Sequence, residues 1–212
     1  MALPPAAAAP SDGLVPGEEE AVRAWLKKEG FQDGDLRSAH SSLPYLHPTG
    51  HACHKGELNV CKWLHAHGAA ADITKANKYG QTPMYITCEG GHLLVCKWLY
   101  EVGAAADITK ADKYGHTPMF VACEEGHLLV CKWLYEVGAA ADITKASNYG
   151  VTPMLMACQN GHLSVCKWLF EFGAAADITK VRNGGVTPMY MACLGGHLPV
   201  CEWLFEVGAA ED

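Results

Sequence analysis

Five tryptophans, Trp63, Trp98, Trp133, Trp168 and Trp203, follow one another at intervals of 35 residues, each inside the phrase V-C-K-W-L or its variant V-C-E-W-L. A fixed period of that length means one small unit copied and stacked, so the chain is expected to be a repeat array. Each unit of such an array touches only its neighbours, and the product is an extended surface rather than an enclosed pocket. That points to binding before chemistry.

One period, residues 82–116, reads TPMYITCEGGHLLVCKWLYEVGAAADITKADKYGH. Thr82-Pro83 is a helix start, with Thr as N-cap and Pro at the first position, where its missing N–H costs nothing. The short helix stops at Gly90-Gly91, because glycine breaks helices readily. A second helix is expected from about His92 to Val102. Gly103 then ends it in the left-handed conformation that glycine adopts without penalty. The remainder, AAADITKADKYGH, is expected to be an extended loop leading to the next Thr-Pro.

At about 100° per residue, Lys97 and Glu101 share one narrow polar stripe of the second helix and Leu94 borders it. Val95, Leu99 and Val102 point the opposite way, and Trp98 and Tyr100 project to the two flanks. A helix polar on so thin a stripe is buried on three sides, against its partner helix and both neighbouring units. The copies agree with this placement. The bordering position varies as Asn59, Leu94, Leu129, Ser164 and Pro199, whereas the deep valine and leucine recur unchanged. The wheel leaves open whether Trp98 looks forward to Tyr135 or back to His65.

The phrase T-P-M-x-x-A-C-x-x-G-H-L-x-V-C-K-W-L-x-E-x-G-A closely resembles the ankyrin repeat, which reads T-P-L-H-x-A-A, then G-H-L, aliphatic residues and G-A-D. Matches include Thr117-Pro118-Met119, Ala122, Gly126-His127-Leu128, Gly138-Ala139 and Asp142-Ile143, and they extend over residues 48–212. The resemblance implies an all-α fold, an α-solenoid of stacked helix-turn-helix repeats with long connecting loops. A tetratricopeptide array has a similar period but short turns, which fits the long loop poorly. The unit here is two residues longer than the usual 33, with the excess in Gly-Ala-Ala-Ala-Asp. The family's T-P-L-H histidine is replaced by Tyr85, Phe120, Leu155 and Tyr190, so the inter-repeat bonds drawn from it need another source.

The expected organisation is a disordered leader over residues 1–17, a capping half-repeat with linker over 18–46, and five units over 47–212. The half-repeat is suggested by Val22-Arg23-Ala24-Trp25-Leu26, which repeats the second-helix phrase behind the acidic Glu18-Glu19-Glu20 suited to a helix start. The first unit is degenerate, with His47-Pro48-Thr49-Gly50 in place of Thr-Pro-Met-Tyr. The last stops after its second helix with no cap following, which suggests a fragment of a longer array or an end-to-end contact.

The net charge of −7 gives no electrostatic reason to bind nucleic acid or an anionic membrane. No apolar run has the length of a membrane span. The leader lacks the basic start of a secretory signal and the arginines of a mitochondrial one, so a cytoplasmic or nuclear address is expected. The ten cysteines fall two per unit and are read as reduced, buried thiols. His51, Cys53, His54, Cys61, His65 and His67 crowd the first unit, but their spacing matches no standard zinc motif. No phosphate loop, nucleophile elbow or pair of distinct carboxylates is present, and no cofactor is implied.

A non-enzymatic protein-interaction scaffold is therefore expected, with a thiol-based metal or redox sensor, or the interaction segment of a larger protein, as alternatives. The resemblance places the binding surface on a concave side made of loop tips and first helices, and the copies differ most there. The candidate partner-binding residues are Lys78, Gln81, Glu89, Asp112, Lys113, His116, Glu124, Glu125, Asn148, Gln159, Asn160, Arg182 and Asn183.

Overall fold

The computed structural model describes residues 17–31, 47–182 and 185–209. The expected leader up to residue 16, the expected linker over 32–46, and Asn183 lie outside the described residues. A lone helix, α1 (Glu18–Lys28), precedes five helix pairs. These are α2 (Pro48–Lys55) with α3 (Leu58–Leu64), α4 (Pro83–Glu89) with α5 (Leu93–Leu99), and α6 (Pro118–Glu124) with α7 (Leu128–Leu134). Then come α8 (Pro153–Gln159) with α9 (Leu163–Leu169), and α10 (Pro188–Leu194) with α11 (Leu198–Glu206). First helices pack on first helices and second helices on second helices, giving two layers. Among the described residues, β-structure is limited to one isolated bridge, Arg182 to Val186.

Each first helix opens as its sequence demands. The Thr82, Thr117, Thr152 and Thr187 hydroxyls each accept the amide N–H three residues on, at 3.2 Å. This satisfies one of the four orphan donors at a helix start. The degenerate first unit keeps the same device with another residue, since His47 Nδ1 accepts from the Gly50 amide at 3.3 Å.

The expected extended loop is only half extended. After α5 the chain widens into a π-type turn, Tyr100–Ala104, where Gly103 takes φ 123°, and then tightens into a 3-10 turn, Ala105–Thr109. The alanine-rich insertion keeps helical backbone because alanine favours it, and it buries Ala104, Asp107 and Ile108. The Ile108 Cδ1 lies 3.8 Å from where a Cβ would sit on Gly138. The segment that holds the two extra residues thus sets Ile108 against the next unit.

Two contacts lock one unit to the next. The indole looks back: Trp98 meets His65 edge-on at 5.7 Å, Trp133 meets Tyr100 at 5.9 Å, Trp168 meets Tyr135 at 5.9 Å and Trp203 meets Phe170 at 5.8 Å. Such edge-to-face pairs add about 0.5–1.5 kcal/mol beyond the area they bury. The Gly-His-Leu histidine is the second lock. His92 Nε2 donates to the His54 carbonyl and His127 Nε2 to the Glu89 carbonyl, both at 3.0 Å. The His127 ring lies so close to Gly91, which has φ 73°, that an added Cβ would fall 2.5 Å from its Nδ1. The glycine of one unit is therefore a seat for the histidine of the next.

At the first unit, α1 packs on α3. Val22 and Leu26 are buried, and the Arg23 guanidinium stands 5.9 Å from the Trp63 ring, whose stacking partner is His67 at 4.1 Å. His51 Nε2 donates to Glu29 Oε2 at 2.9 Å. That bond holds the Glu29 carboxyl below its ordinary pKa.

Candidate interaction surface

The loop of each unit turns tightly and then joins the loop beside it. Within a turn, the Asn77, Asp112, Ser147 and Arg182 amides donate to the carbonyls of Gln81, His116, Val151 and Val186, each at 2.9 Å. Between turns, the Lys113 amide donates to the Tyr79 carbonyl and the Asn148 amide to the Tyr114 carbonyl, both at 2.9 Å. The loop tips of the first, second and third units therefore form one hydrogen-bonded edge. Along it Tyr114 and Tyr149 stack at 6.4 Å, 42% and 57% exposed, and Lys78 Nζ lies 5.0 Å from the Tyr79 ring centre.

Beside this edge the ends of the first helices gather carboxylates. Burial raises the pKa of Glu89, and the nearby Glu125 and Asp112 charges add to the shift. Glu124 is raised for the same reasons, by burial first and then by Glu125, Glu89 and Asp112. The side chain of Asp112 is turned inward. Its Oδ1 accepts the Tyr114 and His116 amides at 2.8 and 2.9 Å, and its Oδ2 accepts from the Tyr85 hydroxyl at 3.4 Å. His116 Nδ1 stands 3.5 Å from the same Oδ2, and its ring stacks on Phe120 at 4.4 Å.

A protein-family model described as ankyrin repeats (3 copies) matches residues 49–147 and 137–211. The chain belongs to the ankyrin repeat family. A search of curated proteins returned no significant match.

Against this ankyrin frame the sequence-derived residues divide. Lys78, Lys113, Glu125, Asn148 and Asn160 are exposed, while Gln81, Glu89, His116, Glu124, Gln159 and Arg182 are half-buried. Four are engaged inside the fold. Gln81 accepts from Asn77 at 2.8 Å, Asn148 donates to the Lys113 carbonyl at 3.1 Å, Asn160 donates to the Glu124 carbonyl at 2.8 Å, and Asp112 is buried as described. The Tyr85 to Asp112 bond ties the first helix to the loop that closes the same unit, from the position where the family has its histidine. The loop tyrosines recur almost unchanged, so variation among the copies does not mark them. Their signal was the repeated K-Y-G or N-Y-G phrase at a turn.

The thiol-sensor alternative needs correction. In each unit the two cysteines touch, with Sγ–Sγ distances from 3.4 to 3.8 Å, and none is in a disulfide. The first eight are buried. Burial pushes the Cys88 and Cys123 thiols well above their ordinary pKa, with the neighbouring thiol adding to the shift. A buried thiol held protonated is a poor nucleophile and a poor metal ligand. Among the described residues no group of three or more His, Cys, Asp or Glu side chains is placed to hold a metal ion. The crowded first unit disperses, with His51 going to Glu29, His65 to Trp98 and His67 to Trp63.

Proposed function

We propose that this ankyrin array is a non-catalytic scaffold that holds a protein partner along the loop edge and the exposed ends of the first helices. Ankyrin repeats mediate protein–protein interaction as a family, and the partner surface proposed here lies where the units differ. The observation that carries the reading is the bonding of loop to loop. Because Lys113 and Asn148 donate to the preceding tips, the edge is ordered before a partner arrives, and little entropy remains to be lost on docking. Tyr114 and Tyr149 supply rigid apolar area, and Lys78 and Lys113 lie on the same edge. Glu89, Glu124 and Glu125 supply opposite charge beside them. The proposal places the protein in the cytoplasm or nucleus, where free thiols persist.

The test is a comparative capture with the full chain. A variant altered at Lys113, His116, Glu124 and Glu125 is set against one altered on the second-helix stripe at Lys97, Glu101, Lys132 and Glu136. Proteins held by the wild type and the stripe variant but lost by the loop variant, with both variants melting as the wild type does, support the reading. Equal retention by all three contradicts it.

A further inference from the structure

The outer side of the fifth unit repeats, uncovered, a face that earlier units bury. In the fourth unit Met154, Leu155 and Cys158 are buried; at the homologous positions of the fifth, Met189 is half-buried and Tyr190 and Cys193 are exposed. A groove of about 560 Å³ runs along this face, lined by Met189, Leu198, Cys201, Glu202, Phe205 and Glu206. Phe205, 71% exposed, stands where Phe170 of the fourth unit receives the edge of Trp203.

Two differences set the fifth unit apart from the others, one at the end of its first helix and one on the stripe beside the groove. Leu194, 69% exposed, replaces Glu89, Glu124 and Gln159, so an apolar side chain stands where the other units are polar. Glu202 replaces Lys62, Lys97, Lys132 and Lys167. In the second to fourth units the polar stripe carries one lysine and one glutamate, four residues apart; here it carries Glu202 and Glu206. After Arg182 the sequence contains no Lys or Arg and four acidic residues, Glu202, Glu206, Glu211 and Asp212. The stripe beside the groove thus carries charge of one sign where the second to fourth units carry a balanced pair.

We propose that the groove between α10 and α11 docks an amphipathic helix of a partner protein. Its apolar ridge would seat on Phe205, Leu198 and Met189, and its Lys or Arg side chains would lie against Glu202 and Glu206. The internal junctions show what such a groove accepts, since each receives an indole edge from a neighbouring helix. The charge selects the partner's flank, because like charges opposed across an interface are costly. For the same reason two copies of this face repel each other. The inference stands apart from the loop-edge reading, because it concerns a different face.

A reporter lies beside the groove, because Cys193 is exposed and its sulfur is 3.4 Å from that of Cys201, which lines the groove, while the other eight thiols are buried. The probes are two synthetic helical peptides with the same Trp and Leu ridge, one flanked by lysines and the other by glutamates. Alkylation of each cysteine in the full chain is followed by mass spectrometry at low salt. The lysine-flanked peptide should slow Cys193 alkylation about fivefold, as two exposed ion pairs allow, and its twin should change it by less than about twofold. Glu202→Lys should reverse the preference, and Phe205→Asp should abolish protection while leaving the melting curve unchanged. Altering Lys113 and Glu124 should leave protection intact, which separates this result from the fate of the loop-edge reading.

Equal protection by both peptides, or by neither, overturns the proposal. So does a Cys193 already as slow as Cys158 in the protein alone, which would mean that the chain fills its own groove. A dimer that Phe205→Asp dissociates would assign the face to a second copy, and overturns it too.

Discussion

The row of second helices and the row of loops are cut from the same 35-residue period, yet the copies agree in one and differ in the other. Val95, Leu99 and their counterparts are buried and unchanged, and from the second unit on each Trp meets the ring of the preceding unit. The loop tips are exposed, and three of four positions around the tyrosine change from unit to unit. A stacked array must satisfy the same junction each time, so junction residues have almost no freedom. The loops need only keep their backbone bonds. Stability therefore belongs to the helical row, and the proposed discrimination between partners to the loops.

The sharpest way to break this division is Trp133→Ala. The indole is buried between the third unit and Tyr100 of the second, so truncation should cost about 3–5 kcal/mol in denaturant unfolding. A loss near zero would move the stabilising row elsewhere. Gly91→Ala comes next, at about 2–4 kcal/mol, because it forces a left-handed alanine and meets the His127 ring. In the double variant with His127→Ala the steric part should be relieved, so the two losses should fall short of adding by about 1 kcal/mol. Strict additivity would mean that the ring does not seat on the glycine.

A smaller effect is read through pH. Asp107, Asp142 and Asp177 are buried behind the loops, and burial raises each carboxyl pKa, opposed by the lysine three residues on. A carboxyl raised in the folded state contributes stability that is complete below the unfolded value, about 3.9. That contribution is lost as pH rises through the folded value. Replacing all three by Asn should thus help most, or harm least, near neutral pH, and the difference from wild type should move against the variant as pH falls. A difference independent of pH would show that these carboxyls titrate as in the unfolded chain. Smallest of all should be Tyr114→Ala, under about 1 kcal/mol for a half-exposed ring, although partner capture should suffer.

Much of this was legible in the sequence. The period gave the units, Thr-Pro gave the caps, and the polar stripe gave the buried faces. Which way Trp98 points was not legible, because a helical wheel defines flanks but not the hand of stacking. The seat of His127 on Gly91 was hidden for a similar reason. Read locally, Gly91 is a helix breaker and the histidine a polar turn residue, and only the fold brings them together across a repeat. Variation among copies found exposed positions such as Lys113 and Glu125. It also found Asp112 and Asn160, whose side chains serve the fold, because loops that keep their backbone can reach the same bonds with different residues.

The central claim is that each indole binds its unit to the one before. A double-mutant cycle between Tyr100→Ala and Trp133→Leu, measured by denaturant unfolding, tests it most directly. A coupling of about 0.5–1.5 kcal/mol is expected for an edge-to-face pair. Additive losses at Tyr100 and Trp133, with coupling appearing instead between Trp133 and Phe170, would turn the ring toward the following unit and contradict the account.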